Sequence, residues 1–276
     1  DKGRYAVERA REEMFKNEKY GISDLGYLAD IDKITAKGLY EHYVNIMKTS
    51  PIDIVVEGNF DEDEIVEIIS NGFDFHRENI IEIPRADFIK KVDEIKVIKE
   101  EMDITQGKLV MGYRCNVDYK DEFKYYSLFV GSNVLGGGPH SKLFVNVREK
   151  ESLCYYIYSS LEKYKTSMFI SSGIESENYD KTVELIGEQL KSLKEGKISD
   201  EELLNSKSAI ISSLKTIKDS LGGSSDFYFS QSMGGTNTTV EKIIEMIEKV
   251  TVSDIVEAFK NIELDTIYFL SNNKEA

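Results

Sequence analysis

Tryptophan is absent from this chain, and cysteine, histidine and long apolar runs are scarce. Two cysteines in 276 residues, Cys115 and Cys154, lie far apart beside apolar or aromatic neighbours. That excludes a disulfide framework and reads as buried thiols in a reducing compartment, hence a cytoplasmic site. No apolar run reaches the ~18 residues a membrane helix requires, and no secretory signal pattern is visible. Positive charge is also short: 35 basic against 50 acidic residues leave a net charge of −15. A surface of that sign repels phosphate backbones, so nucleic acid is not an expected partner. The 41% hydrophobic and 31% charged composition is that of a globular chain long enough for one large or two medium domains.

What is present is alternating helix and strand. Lys2 to about Lys16 is an amphipathic helical pattern (Tyr5, Val7, Ala10, Met14) that Asp1 enters without a lead-in, as in a processed or trimmed product. Thr35 reads as the N-cap of a second helix, and Ile52 to Gly58, β-branched after Pro51, reads as a strand. A helix follows from Asp61 to about Ser70. Residues 74–91, with Pro84, make the linker candidate. Strands are expected at 92–103 and 107–115, and a helix at 121–135. Then comes the strongest breaker of the chain, Gly136-Gly137-Gly138-Pro139. A short helix (140–150), a strand pair (155–162, 167–174) and helices at 177–195 and 199–221 follow. The bend Gly222 to Ser225 leads to further helix, ending with Ile243–Val250 and Ser253–Asn261, and a last strand runs Thr266–Leu270. Ile31 to Thr35 and Ile247 to Thr251 echo one another at an offset of 216 residues, each before a helix and then a strand. Such an echo is either chance or a duplication of an α/β unit; in the second case roughly 120 residues of the first unit lie outside this chain.

Chemistry is sparse. His42, His76 and His140 have no H-E-x-x-H or H-x-x-E-H spacing, and the cysteines have no zinc-finger spacing, so no metal site is expected in the chain itself. There is no nucleophile elbow and no phosphate-binding loop. The glycines Gly136, Gly137 and Gly138 admit two readings: a helix–helix turn needing positive φ, or a loop whose backbone lies close to a bound peptide. Downstream, Arg148 ends the short helix and Tyr155 opens the next strand. A guanidinium and a phenol there can converge on a peptide carbonyl or a developing oxyanion. Equally, Arg148 can pair with Glu149 or Glu151 while Tyr155 packs in the sheet.

The stretch Leu135-Gly136-Gly137 … Leu143-Phe144 … Arg148-Glu149 … Leu153-Cys154-Tyr155 resembles the second-half signature of the pitrilysin/insulinase family of inverted-motif zinc peptidases, which includes the mitochondrial processing peptidases. Tyr155 stands seven positions after Arg148, as in that signature. Tyr20-Gly21, Gly26, Ile34-Thr35 and Ile54-Val55-Val56-Glu57-Gly58-Asn59 are similar, in that order, to the end of the family's first half. Pro139 and His140 depart from the pattern.

The resemblance implies an α+β fold: a mostly antiparallel sheet with helices on one face, preceded by the end of a related first half. Residues 1–80 would be the remnant of the first half and 81–276 the second half. It implies that Arg148 and Tyr155 grip a peptide substrate and stabilise the oxyanion, with Gly136, Gly137 and Gly138 lining the substrate path. Zinc, the H-x-x-E-H helix and its downstream glutamate would belong to the missing first half or to a zinc-bearing homologous subunit. A dimer is one assembly this allows. The other reading is a non-catalytic partner or scaffold subunit of a heterodimeric peptidase.

Overall fold

The computed structural model describes residues 1–73, 76–82 and 91–272. Along the chain run helices α1 (Lys2–Met14), α2 (Leu28–Ile31), α3 (Ala36–Thr49) and α4 (Glu62–Gly72), then strands β1 (Lys96–Met102) and β2 (Gly107–Arg114). They are followed by α5 (Glu122–Gly136), a π-helix (Phe144–Lys150), β3 (Cys154–Glu162), β4 (Ser167–Ile174), α6 (Tyr179–Lys194), α7 (Asp200–Thr216), α8 (Leu221–Gly234), α9 (Val240–Lys249), α10 (Val252–Phe259) and β5 (Glu263–Asn272). The five strands form one sheet in the order β1-β5-β2-β4-β3. Only the β1–β5 pair is parallel. This is the α+β class that the sequence implies.

Strand register assigns the two faces, because directly opposed residues share a face. Val110 opposes Ser171, and Met111 opposes Ile170, which in turn opposes Ser159. Val110 packs in the cluster that contains Ala6, Ala10 and Met14 of α1. Ser159 bonds Ser132 on α5, its Oγ donating to the Ser132 carbonyl at 2.7 Å. Helix α1 therefore covers one face, and α5, packed against α10, covers the other. The expectation of helices on one face only is thus extended by one helix on the opposite side. β2 and β4 lie at the sheet centre, and β4 is buried along all of its eight residues.

Two polar clamps hold α1 in place. Arg114, 4% exposed, donates to Asp265 at 3.0 Å, to Glu18 at 2.7 Å and to the Met14 carbonyl at 2.9 Å, and lies 4.2 Å over the Phe15 ring. Glu100 on β1 accepts from Tyr5 and from Tyr268, both at 2.7 Å, with Arg9 at 3.7 Å. Burial alone would raise the Glu100 carboxyl. The two phenol hydrogen bonds and the Arg9 charge outweigh it and hold the group below its usual range.

The chain divides into two compact units. One contains, among the described residues, 1–23, 91–215 and 238–272: the sheet, its helices and α1. The other contains 24–73, 76–82 and 216–237. Packing therefore crosses the sequence division at 80/81, because α1 buries its apolar stripe on strands that follow that division. Pro84 and most of the linker candidate lie outside the described residues.

In the second unit α2, α3 and α4 bury no residue. Arg77 ties the unit locally, donating to the Met47 and Ser50 carbonyls. The expected strand at 52–58 does not form. Ile52, Ile54, Val55 and Val56 are 40–46% exposed, and no described strand pairs with them. A β-branched run supplies half of a ladder, and strand structure requires the other half. The expected bend at Gly222–Ser225 is instead the start of α8. The break falls at Ser220, whose hydroxyl accepts from the Gly223 amide at 3.1 Å.

Two predictions follow from the clamps. Replacing Arg114 by Met leaves the buried Asp265 carboxylate only Lys96 at 3.6 Å and the Thr266 hydroxyl at 2.6 Å, and chemical denaturation should show a loss of about 3 kcal/mol; adding Asp265→Asn should restore part of it. Tyr5→Phe should cost about 1 kcal/mol at neutral pH. Because Glu100 has a lowered pKa in the folded chain, the stability it contributes is present above the ordinary carboxylate range and is lost as pH falls through its folded value. The Tyr5→Phe difference should therefore shrink in acid, as measured by denaturation at pH 7 and near pH 3.

Candidate functional site

The site predicted from sequence lies where α5 ends and β3 begins. Asp121 caps α5, its carboxylate accepting from the Lys124 amide at 3.4 Å. The helix is buried on most sides and ends at Gly136, where a Cβ would stand 2.5 Å from the Ser159 backbone nitrogen. At Gly137 a Cβ would collide with Asn133 on the previous turn. Positive φ is not the reason for these glycines: Gly137 has φ −85°, and none of the three is among the positive-φ glycines of the described chain. Gly136 and Gly137 are instead required by close packing against the chain itself. Gly138 has more room, its nearest neighbour being the His140 ring at 3.4 Å. His140 caps nothing; its Nε2 lies 3.4 Å from Asn133 Oδ1.

The expected short helix is a π-helix, a wide form often found at functional sites. Its anchors are specific. The largely buried Lys142 pairs with Glu202 on α7 at 2.9 Å, Asn146 donates to Gln189 on α6 at 2.8 Å, and Val147 is fully buried. Arg148 projects from the last turn, partly buried, with its guanidinium 4.5 Å over the Phe144 ring. It forms no ion pair with a described residue, so the pairing with Glu149 or Glu151 is not what the chain adopts.

Between π-helix and β3 the backbone turns through Ser152 at φ 55°, a left-handed conformation that is uncommon for serine. β3 then begins with a bulge. Cys154 opposes Ile174 and Tyr156 opposes Gly173, so the residues on either side of Tyr155 face opposite sides of the sheet and Tyr155 is the extra residue. Tyr155 is 65% exposed and is not packed in the sheet. Arg148 is near: burial raises the Cys154 thiol, while a hydrogen bond with Ser172 and the Arg148 charge oppose that rise.

Cys115 is buried as well, and burial pushes its thiol up. Both cysteines are unbridged buried thiols, as expected, and neither has the lowered pKa of a nucleophile. Among the described residues no group of three or more His, Cys, Asp or Glu could hold a metal ion. His42 is exposed on α3, far in sequence from His140, which is engaged with Asn133. The residues present do not fit a zinc ion. No helix among those described is long and apolar enough to cross a membrane.

Sequence reasoning missed the anchors Lys142 and Asn146 and the buried Arg114. A lysine just ahead of Leu143-Phe144 carries no signal until Glu202 arrives from α7. Arg114 could have been suspected as a charge closing the apolar strand Leu109–Tyr113. The packing account of the glycines is testable. Gly136→Ala should destabilise by about 1–3 kcal/mol through its clash with β3, whereas Gly138→Ala should be nearly neutral, read from thermal melts of the two variants.

Comparison with known proteins bears on the same segment. The family model described as "Peptidase M16 inactive domain" matches residues 33–210. The probable inactive metalloprotease YmfF of Bacillus subtilis is 36% identical over 276 residues, which are 100% of this chain and 64% of that protein. The non-peptidase homolog YmxG of Helicobacter pylori is 22% identical, with 96% of this chain and 62% of that protein covered. Among solved structures, a conserved protein from Enterococcus faecalis V583 superposes with a TM-score of 0.87 at 30% identity, over 100% of this chain and 65% of that one. The chain thus spans less than two thirds of the length of these relatives. With the family model lying over the glycine turn, the π-helix, β3 and most of the helices around them, this chain belongs to the peptidase M16 family.

Proposed function

We propose that this chain is the metal-free, peptide-gripping part of an M16-family protein. Arg148 and Tyr155 would hold the backbone of an extended peptide across a chamber whose other wall is formed by sequence beyond this chain or by a homologous subunit. The observation that carries this is the state of the two side chains. A guanidinium without a carboxylate partner among the described residues and, seven positions on, an exposed phenol on a strand bulge are two donors not committed to other described groups. Both can donate to peptide carbonyls, and in a catalytic assembly the same donors would stabilise an oxyanion. Within this reading Gly137 and Gly138 contribute backbone toward the peptide path, Gly136 being committed to β3. Zinc, where the assembly contains it, is held by residues outside this chain. Residues 1–80 and 81–276 are, on the same reading, the end of one ancestral half and the whole of a second.

A non-catalytic partner or scaffold role is the second reading. The description of the matching family model as an inactive domain and the names of the Bacillus subtilis and Helicobacter pylori relatives favour it. The two readings share the grip and differ in whether the opposite wall cuts. The sequence preceding Asp1 in the full-length protein distinguishes them: an H-x-x-E-H motif supports catalysis, and its absence supports the partner role.

The grip is tested in the full-length protein with its subunit partner. Arg148→Ala and Tyr155→Phe should each weaken binding of an unlabelled extended peptide by about tenfold, the equivalent of one hydrogen bond to a charged or polar group. Thermal melts should stay unchanged, because neither side chain bonds another described residue. Unchanged peptide affinity in both variants would remove the proposal, and chelator-sensitive peptide cleavage by purified residues 1–276 would contradict the absence of a metal centre.

A further inference from the structure

Leu143, which leads into the π-helix, and Val147 within it stand four positions apart, and both are fully buried. They fix which way the helix faces. The next pair at the same spacing, Phe144 and Arg148, therefore falls at the margin of the packed surface, where both side chains are partly buried. The guanidinium carbon of Arg148 lies over the Phe144 ring, 4.5 Å from its centre. The helix beneath this pair is held from two neighbouring helices, by Lys142 on Glu202 of α7 and by Asn146 on Gln189 of α6. The ring thus stands on an anchored support.

Lys150, also on the last turn, is engaged differently: its Nζ donates to Asn146 Oδ1 at 2.9 Å. Two cations two residues apart are therefore held in two ways, one by a hydrogen bond to an amide and one by an aromatic face. An arginine side chain has large rotamer freedom, and a donor that is ordered only when its ligand arrives forfeits affinity. A cation–ring contact made beforehand removes part of that cost and leaves the charge unneutralised. Leucine at the same position would fill similar space and offer no such attraction.

We infer that Phe144 is a positioning residue of the peptide grip, its ring holding the Arg148 guanidinium in place for a peptide carbonyl. The inference rests on the role proposed for Arg148 and adds the residue through which the π-helix serves that role. Phe144 acts through Arg148, so its effect on a bound peptide disappears when the guanidinium is removed.

The full-length protein tests this with two substitutions. Phe144→Tyr keeps the ring, and Phe144→Leu keeps an apolar side chain without one. The first readout needs no peptide. The Nε–H proton resonance of Arg148, assigned through its loss in Arg148→Lys, should be shifted by the ring current in the unaltered protein and in Phe144→Tyr, and should move to the position of a free arginine in Phe144→Leu. The second readout is calorimetric titration with an acetylated and amidated hexapeptide of alternating threonine and valine, an extended probe without charge. Phe144→Leu should weaken its binding about three- to fivefold, Phe144→Tyr should bind it as the unaltered protein does, and Phe144→Leu added to Arg148→Ala should cause no further loss. Melting curves show whether each variant is folded; should Phe144→Leu not fold, Phe144→Met, equally without a ring, replaces it. An Arg148 resonance indifferent to loss of the ring, undiminished affinity in the folded ringless variant, or a further loss of the same size in the Arg148→Ala background would overturn the inference. Binding weakened by Arg148→Ala and kept by Phe144→Leu overturns it while leaving the grip intact. A peptide that the unaltered protein does not bind, or binds regardless of Arg148→Ala, removes the grip and this inference with it.

Discussion

A guanidinium inside a protein is stable only where its surroundings replace the water it has lost. Arg114 on β2 meets that condition with groups drawn from three places: Asp265 on β5, the Met14 carbonyl at the end of α1, and Glu18 with the Phe15 face just beyond it. Losing Asp265 or Glu18 leaves the buried guanidinium one carboxylate where it has two. The arrangement therefore commits the first 20 or so residues to a sheet whose strands begin some 80 residues later. It also explains why the packing units do not follow the sequence division. The apolar stripe of α1 sets where the helix can lie, and the buried cation holds it to one register along the strands.

With α1 on one face and α5 backed by α10 on the other, the sheet's exposed margin on that side is β3. Three departures from regular geometry occur within about a dozen residues there: the π-helix, the left-handed Ser152 and the bulge at Tyr155. Regular structure would place Arg148 and Tyr155 as an ordinary helix residue and an ordinary strand residue. The irregularities instead leave a cation and a phenol unpartnered at one junction. The cost of that geometry is met by firm anchors behind it, Lys142 on Glu202 and Asn146 on Gln189.

Local structure was readable from the sequence wherever the determinant was local. Thr35 caps α3, accepting from the Gly38 amide, and Thr251 caps α10 in a reciprocal box with Asp254; these are the two positions that the internal echo equates. The strands that follow them diverge. Residues 263–272 become a central strand between β1 and β2, whereas Ile52 to Val56 stay exposed with no described ladder. The two patterns are alike and their neighbours are not, which is why a strand could be expected at both and is formed at one. Similarly, the spacing of Arg148 and Tyr155 was visible, but the bulge was not, since it depends on register against β4. The glycine turn was located correctly, but positive φ is not its reason: at Gly136 the constraint is the approach of β3 to α5, a tertiary fact that no local pattern encodes.

Charge bears on the same junction. Carboxylates outnumber cations by 50 to 35 in this chain, so a cation without an acidic partner does not reflect a shortage of anions. Exposed lysines need no partner because water serves them. Arg148 is partly buried and is placed against the Phe144 ring rather than a carboxylate. A ring attracts a cation without neutralising it, so the charge remains available to an incoming acceptor. Arg148 thus keeps its charge unneutralised beside Phe144 in an acid-rich chain, on a fold that has no described metal cluster of its own.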